Sequence, residues 1–154
     1  MKLTTRGHYS VKALLDLSLQ PTGQVSSVSA IAQRQSLPAP YLEKLLIEMR
    51  RSHLVTSVRG AHGGYRLAKP PAQISLGQIL EAVGESTSAV ALQGGLANAS
   101  GRPPNQAEDW VTSMLWQHLH QKLRAALYSI TLEDLYYDAR SWQAAQGEGA
   151  SFVV

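Results

Sequence analysis

The chain has 154 residues, of which 44% are hydrophobic, and it carries 14 lysine and arginine residues against 11 acidic residues. No run approaches the roughly 18 apolar residues of a membrane span, the amino terminus lacks the apolar core of a signal peptide, and the absence of cysteine excludes disulfides and thiolate ligands. These features predict a soluble, cytoplasmic protein with one compact domain, an additional element and no membrane partner.

Charge is distributed unevenly along the chain. Residues 1–70 hold ten lysine and arginine residues and three acidic residues, whereas residues 71–154 hold four and eight. A basic first half beside an acidic second half indicates a polyanion-binding module joined to a module that does not bind polyanions. Basic residues that only keep the surface soluble are the alternative interpretation.

Three helices are expected in the first third of the chain. A broad apolar face predicts a helix over His8–Leu19, and a serine cap followed by apolar positions predicts a short one over Val28–Gln35. Leucines and a methionine at spacings of three and four predict a third helix over Pro40–Ser52, with Tyr41 and Lys44 on or near its opposite face. This is the candidate recognition helix, and an ordinary solvated helix face is the alternative.

A glycine-rich loop follows between two short β-type runs, Val55–Val58 and Tyr65–Ala68. Glycine lets the chain turn with positive φ, and an arginine at the base of such a loop, here Arg59, suits a narrow and negatively charged groove. His62 in the same loop would meet phosphate or solvent. Helix, turn, helix and basic hairpin, in this order, predict a winged helix-turn-helix that binds double-stranded DNA.

The second half is expected to extend this domain. A capping box of Ser75 and Gln78 predicts a fourth helix to Val83, and residues 84–107 lose all periodicity, as a functional or disordered loop would. An apolar stripe then predicts a long helix over Glu108–Ile130, which a second copy of the chain would cover. An intramolecular core helix is the alternative, and a short last helix through Tyr137 should precede a frayed tail.

The segments that carry a family resemblance are Met1–Thr4, Tyr9, Ala13–Leu17, Pro40–Leu45, Leu54–Gly60, Gly63–Leu67 and Ile130–Leu135. Together they resemble the IscR/NsrR/CymR family of bacterial winged-helix transcription factors. The resemblance is close over residues 1–85 and loose over 108–137. It implies a homodimer that is held by the long helix near the carboxyl terminus and that represses, or sometimes activates, operons.

One departure from the family bears on its sensor. The cluster-binding members carry three cysteines in the loop before the long helix and a histidine at its start. Residues 86–113 of this chain contain no cysteine, and Trp110 and Ser113 stand where the last cysteine and the histidine would be. Because iron–sulfur clusters normally need thiolates, no cysteine-ligated cluster and no other cofactor are expected.

The histidines offer no substitute within one subunit. His118 and His120 lie two positions apart on a predicted helix, so they point to different faces. A zinc site shared between two subunits stays open, as does a small-molecule or protein effector. No phosphate loop of an NTP- or dinucleotide-binding enzyme and no catalytic constellation is recognisable, so no enzymatic activity is expected.

The sequence thus predicts a mainly α fold with a small β-hairpin wing: a winged helix-turn-helix over 1–85, a flexible loop over 86–107, a dimerisation helix and short terminal helix over 108–137, and a frayed tail over 138–154. The expected function is a homodimeric repressor that reads a pseudo-palindromic operator; the alternative is a winged-helix module that binds another protein, or a partner-dependent co-regulator. The candidate DNA-binding residues are Lys2, Thr4, Arg6, Pro40, Tyr41, Glu43, Lys44, Ser57, Arg59, Gly60, His62 and Gly63. The candidate dimerisation residues are Val111, Leu115, Leu119, Leu123, Leu127 and Ile130.

Overall fold

Short helices and one hairpin make up the first half of the chain, and two long helices make up the second. A computed structural model describes residues 4–85 and 106–151. The elements, in order, are α1 (Thr5–Leu19), α2 (Val28–Gln35), α3 (Ala39–Arg51), β1 (Val55–Val58), β2 (Gly64–Leu67), a 3-10 turn (Pro71–Gln73), α4 (Leu76–Ala82), α5 (Ala107–Ser129) and α6 (Leu132–Ser151). This arrangement confirms the predicted fold class.

The core lies where α1, α2 and α3 pack together beneath α4 and the hairpin. Its fully buried side chains include Leu14, Ile31, Leu42, Leu45, Leu46, Met49, Leu54, Ile74, Ile79 and Leu132. The apolar positions of α3 recur every three or four residues and all face inward, as the spacing predicted. The opposite side of α3 is therefore left free at the surface.

An ion pair between a partly exposed arginine and a buried carboxylate fixes α2 against α1. The carboxylate of Asp16, which is only 2% exposed, accepts from Arg34 Nη2 at 2.7 Å and from Gln35 Nε2 at 2.8 Å. Arg34 also donates to Ser26 Oγ at 3.0 Å, and its hydrogen bond with Asp16 raises the pKa of the guanidinium above its ordinary value. Since α2 leads directly into the turn before α3, this pair helps to set the direction in which α3 starts.

The hairpin is antiparallel, with Val55 opposite Leu67 and Val58 opposite Gly64. Its second strand also pairs with the segment before α2, because Tyr65 N–H donates to Ser26 O at 2.8 Å and Ser26 N–H donates to Tyr65 O at 2.9 Å. The strand β2 of the wing is thus hydrogen-bonded to the backbone just before α2. The second strand begins at Gly64, one residue before the predicted start.

Two capping boxes lie side by side where α4 and α6 begin. Ser75 and Gln78 cap α4 reciprocally, as predicted, and Thr131 and Asp134 do the same for α6. The pKa of Asp134 lies below its usual range because its carboxylate accepts from the backbone N–H of Thr131. Leu76 N–H donates to Ile130 O at 2.8 Å, so this bridge joins the long helices to the first half of the chain.

The last helix is longer than expected. The sequence predicted a short helix ending at Tyr137 and a frayed tail beyond it, but α6 continues to Ser151, so this prediction was wrong. Small and polar residues lack the apolar spacing that predicts a helix, yet alanine is the best helix former and the helix is already anchored at its start by the buried Leu132. The predicted loop over 86–107 lies outside the described residues, apart from Gln106 and Ala107, with which α5 begins.

Candidate DNA-binding surface

The exposed face of α3 is presented by the turn that precedes it. Ser36 adopts a left-handed conformation (φ 55°) at the end of α2, and a proline occupies the first turn of α3. Pro40, Glu43 and Lys44 are exposed, and Tyr41 is half-buried. The predicted recognition residues of this helix therefore share one accessible end.

Tyr41 is held by a neighbouring aromatic ring. Its ring meets that of Tyr9 on α1 edge to face, with centroids 6.0 Å apart and planes at 75°. Edge-to-face contacts of this kind favour one ring orientation over others. One side of Tyr41 is thus fixed against α1, while the helix end beside it carries the exposed Lys44.

The wing loop carries the second group of predicted residues. Ser57, Arg59, Gly60 and His62 are exposed, and Gly63 N–H donates to Gly60 O at 3.0 Å to close the turn. Two glycines are required here by geometry: Gly60 has φ +120°, and a Cβ atom on Gly63 would lie 2.3 Å from the carbonyl oxygen of Val58.

Lys44 and Arg59 have no acidic counterpart in the described part of the chain, where the ion pairs are Arg6–Glu48, Arg34–Asp16 and Arg124–Glu81. Exposed cations that lack an acidic partner leave a positive potential over this face of the domain. Arg50 was not singled out from the sequence; its Nη1 atom lies 3.4 Å from Ser57 Oγ and links the end of α3 to β1. The basic charge of Arg50 is the only sequence feature that could have indicated a role for it.

The predicted contacts near the amino terminus are placed differently. Lys2 lies outside the described residues. Thr4 is exposed, but its hydroxyl donates to Glu85, and Arg6 forms an ion pair with Glu48 on α3 while its Nε donates to the carbonyl oxygen of Val83. The guanidinium of Arg6 is thus engaged inside the domain, unlike Lys44 and Arg59.

The predicted dimerisation stripe on α5 is largely uncovered within one subunit. Val111, Leu115 and Leu119 are 55%, 47% and 42% exposed, and Ile130 is also exposed, while Leu123 is half-buried. The aromatic and sulfur side chains of Trp110 and Met114 widen the exposed surface. The first two-thirds of the dimerisation stripe, counted from the amino terminus of α5, are therefore accessible for packing against another surface.

Leu127 differs from the rest of the stripe. It is 5% exposed and packs within its own subunit, where α4 and α5 are close. The approach of the two helices is possible because Gly77 has no side chain: a Cβ atom there would lie 2.5 Å from the ring of Tyr128. Leu127 accordingly belongs to the interior of the subunit, and its assignment to the dimerisation surface is corrected.

The chain does not fit a cysteine-ligated iron–sulfur cluster. It contains no cysteine, and residues 4–85 and 106–151 bring together no group of three histidine and acidic residues that could hold a metal ion. His118 is exposed and His120 is half-buried, on a helix where their spacing places them on different faces. No helix among the described residues is both long and apolar enough to cross a membrane.

Comparison with known sequences agrees with this geometry. The family model described as "Rrf2: Iron-dependent Transcriptional regulator" matches residues 3–138. The chain is 60% identical, over the full length of both proteins, to the candidate HTH-type transcriptional regulator slr0846 of Synechocystis. It is 38% identical over 137 residues to the HTH-type transcriptional regulator IscR of Cereibacter sphaeroides, covering 88% of this chain and 86% of that protein.

Solved structures of bacterial transcriptional regulators are also similar to this chain. The global cysteine regulator CymR of B. subtilis superposes with a TM-score of 0.73 at 30% identity, covering 89% of this chain and 97% of CymR. IscR of T. potens superposes with a TM-score of 0.71 at 35% identity, covering 93% of this chain and 91% of that protein. The chain therefore belongs to the Rrf2 family of bacterial helix-turn-helix transcriptional regulators, which are DNA-binding proteins and not enzymes.

Proposed function

We propose that this regulator is a homodimeric repressor that acts in the cytoplasm and reads a pseudo-palindromic operator through α3 and the wing. The observation that carries the proposal is the position of two exposed cations, Lys44 at the start of α3 and Arg59 at the base of the wing loop, neither of which has an acidic partner among residues 4–85 and 106–151. They lie on two elements that pack against each other through Arg50 and Ser57. One subunit can thereby contact the major groove of DNA and the adjacent minor groove at the same time.

In this proposal the amino-terminal end of α3 enters the major groove. Pro40, Tyr41, Glu43 and Lys44 are the residues available there, since Leu42, Leu45 and Leu46 face the core. Lys44 can donate to phosphate or to a base, and the carboxylate of Glu43 can accept from cytosine N4. Lys2 and Thr4, at the amino terminus, and Arg6 complete the predicted set of DNA-binding residues.

The wing loop then lies over the adjacent minor groove. Arg59 is the inserted cation, and Ser57, Gly60, His62 and Gly63 approach the backbone of the DNA. The narrow minor groove concentrates negative potential, which favours an arginine side chain there. Gly60 and Gly63 matter because they allow a turn that a side chain would obstruct.

Substitution of Arg59 tests this docking. Arg59→Ala should weaken binding to a duplex selected in vitro by the wild-type protein by about 1–3 kcal/mol, the range for a specific groove contact. Arg66→Ala is the matched control, because Arg66 is an exposed arginine on the same hairpin that lines the groove beside the end of α1 instead. Equal losses for both variants in an anisotropy titration would contradict the placement of Arg59.

The homodimer is proposed from the exposed stripe on α5. Val111, Leu115 and Leu119 are each exposed by more than two-fifths in a single subunit, and a second copy of the same helix is complementary to such a surface through a two-fold axis. Two equivalent half-sites on the DNA, about one helical turn apart, would follow from that symmetry. Sedimentation of the wild-type protein at micromolar concentration tests it, since a monomer would contradict the proposal.

A further inference from the structure

Arg6 occupies a corner where three helices meet. It lies in the first turn of α1, its Nη2 atom pairs with Glu48 on α3, and its Nε atom donates to the carbonyl oxygen of Val83, the residue that ends α4. The side chains of Arg6 and Glu48 are 36% and 30% exposed, so the pair is partly screened from solvent. The carbonyl oxygen of Val83 lies at the carboxyl end of α4, the end of a helix that favours a cation, whereas the amino end of α1 does not.

Glu85, which follows α4, contacts the start of α1 at the same place. Its carboxylate accepts from Gly7 N–H at 3.0 Å and from the hydroxyl of Thr4, which itself makes no side-chain cap of α1. A carboxylate placed there satisfies helix donors that would otherwise lack partners. The start of α1 and the end of α4 are therefore tied together, and Arg6 extends the tie to α3.

Two side chains of α3 act on Arg6. Its hydrogen bond with Glu48 is the main reason that the pKa of Arg6 lies above its ordinary value, and Tyr41 contributes in the same direction. Glu48 and Tyr41 lie about two turns apart on α3. Arg6 is thus joined to α3 by Glu48, and Tyr41, nearer the exposed end of the helix, adds to the electrostatic environment of its guanidinium.

We propose that Arg6 is a positioning residue: it holds α3 at the angle needed to read DNA, through Glu48, and does not neutralise a phosphate. Its charge is already compensated by Glu48, whereas Lys44 and Arg59 have no acidic partner in the described ranges. The guanidinium suits this role because its planar fork can serve a carboxylate and a carbonyl oxygen at once. This inference rests on the proposed reading of DNA by α3.

The salt dependence of binding separates the two roles. Loss of a phosphate contact weakens binding to every sequence about equally and lowers the log–log salt slope by about one unit, whereas a misplaced helix loses mainly the specific contacts. The assay is fluorescence anisotropy with two probes of equal length, a duplex selected in vitro by the wild-type protein and a scrambled duplex. Thermal unfolding of each variant is measured alongside.

Arg6→Ala should weaken binding to the selected duplex roughly three- to tenfold, the effect of losing a partly exposed, hydrogen-bonded charge pair, and should change binding to the scrambled duplex less than about twofold. Its salt slope should equal that of the wild type. Arg6→Lys should recover part of the selectivity, because lysine keeps the charge without the fork. Lys44→Ala, as the comparison for a phosphate contact, should lower the slope by about one unit.

Glu48→Gln gives a second, nearly isosteric test with an informative sign. Removing a negative charge from a DNA-binding domain ordinarily strengthens binding to any duplex. Here it should weaken binding to the selected duplex, because Arg6 loses the partner through which it positions α3. The expected change in affinity for the selected duplex therefore has the opposite sign to the change that the loss of a negative charge alone would cause.

Three results would overturn the inference while leaving the proposed function in place. A lower salt slope with equal losses on both duplexes would make Arg6 a phosphate contact and leave the proposed function standing. A lower melting temperature with unchanged selectivity would make the pair purely structural, and stronger binding of Glu48→Gln to both duplexes would show that α3 does not depend on it. A wild-type protein that selects no duplex would instead remove the proposed function itself, and the inference with it.

Discussion

At the scale of single residues, Gly64 decides whether the wing can pack against the helix-turn-helix. Its φ is +155°, and a Cβ atom there would lie 2.2 Å from the carbonyl oxygen of Ser26, a backbone atom that the paired strand holds in place. Gly64→Ala should therefore destabilise the protein by about 3 kcal/mol and separate the wing from residue 26.

Gly23→Ala is the matched control for that change. Gly23 also has a positive φ, +78°, but a Cβ atom there would meet nothing within 4 Å. Only the left-handed backbone is penalised, which costs about 1 kcal/mol. Urea unfolding of the two variants measures the difference, and equal losses of stability would show that the contact with Ser26 is not the reason for glycine at position 64.

The same scale shows which site residues a sequence can indicate. The exposure of Arg59 and Lys44 could be predicted because the local pattern, a glycine loop and a helix start, already places them at the surface, and their contact with DNA stays a prediction. The engagement of Arg6 was not predicted, because Glu48 is 42 residues away and Val83 is 77 residues away. A basic residue near the amino terminus has the same appearance in a sequence whether it faces phosphate or an intramolecular carboxylate.

At the scale of elements, two leucines on α5 should respond differently to the same substitution. Leu119 is 42% exposed in one subunit, so Leu119→Asp should leave the subunit folded and dissociate the proposed dimer. Leu127 is 5% exposed, so Leu127→Asp buries a charge inside the subunit and should unfold it.

Sedimentation and circular dichroism distinguish these outcomes. The expected result is a folded monomer for Leu119→Asp and loss of helical signal for Leu127→Asp. A Leu119→Asp variant that still sediments as a dimer would place the interface elsewhere on the molecule. Comparing the two variants also distinguishes loss of association from loss of folding, which neither variant could do alone.

Element boundaries were predicted best where short-range chemistry determines them. Serine caps such as Ser27 before α2, and apolar spacing such as that of α3, act within a few positions. Accordingly, α2 and β1 were assigned without error, and α3 and α5 to within one residue. The start of α1 was placed three residues late, since its first turn depends on the distant Glu85. The length of α6 was missed because its second half is exposed from Ser141 to Gly147 and carries no apolar spacing that would predict a helix.

At the scale of the whole molecule, the exposed surfaces divide between two tasks. Lys44 and Arg59 lie on the basic half, and the apolar stripe of α5 lies on the acidic half. The bridge between Ser75 and Thr131 connects them, so the orientation of the long helices is fixed relative to α4. In a two-fold dimer this connection would set the distance between the two recognition helices, and hence the spacing of the half-sites.

The composition of the whole chain limits the kind of sensor that the molecule can carry. Because the chain contains no cysteine, the purified protein should be colourless, with no stoichiometric iron or acid-labile sulfide. DNA binding should be unchanged by oxygen, by thiol reagents and by a metal chelator, since no thiol is available to oxidise. Metal analysis and gel shifts with and without oxidant measure this. Near-stoichiometric iron would contradict it and would require histidine and carboxylate donors drawn from two subunits or from outside the described ranges, because residues 4–85 and 106–151 of one subunit bring no three such groups together.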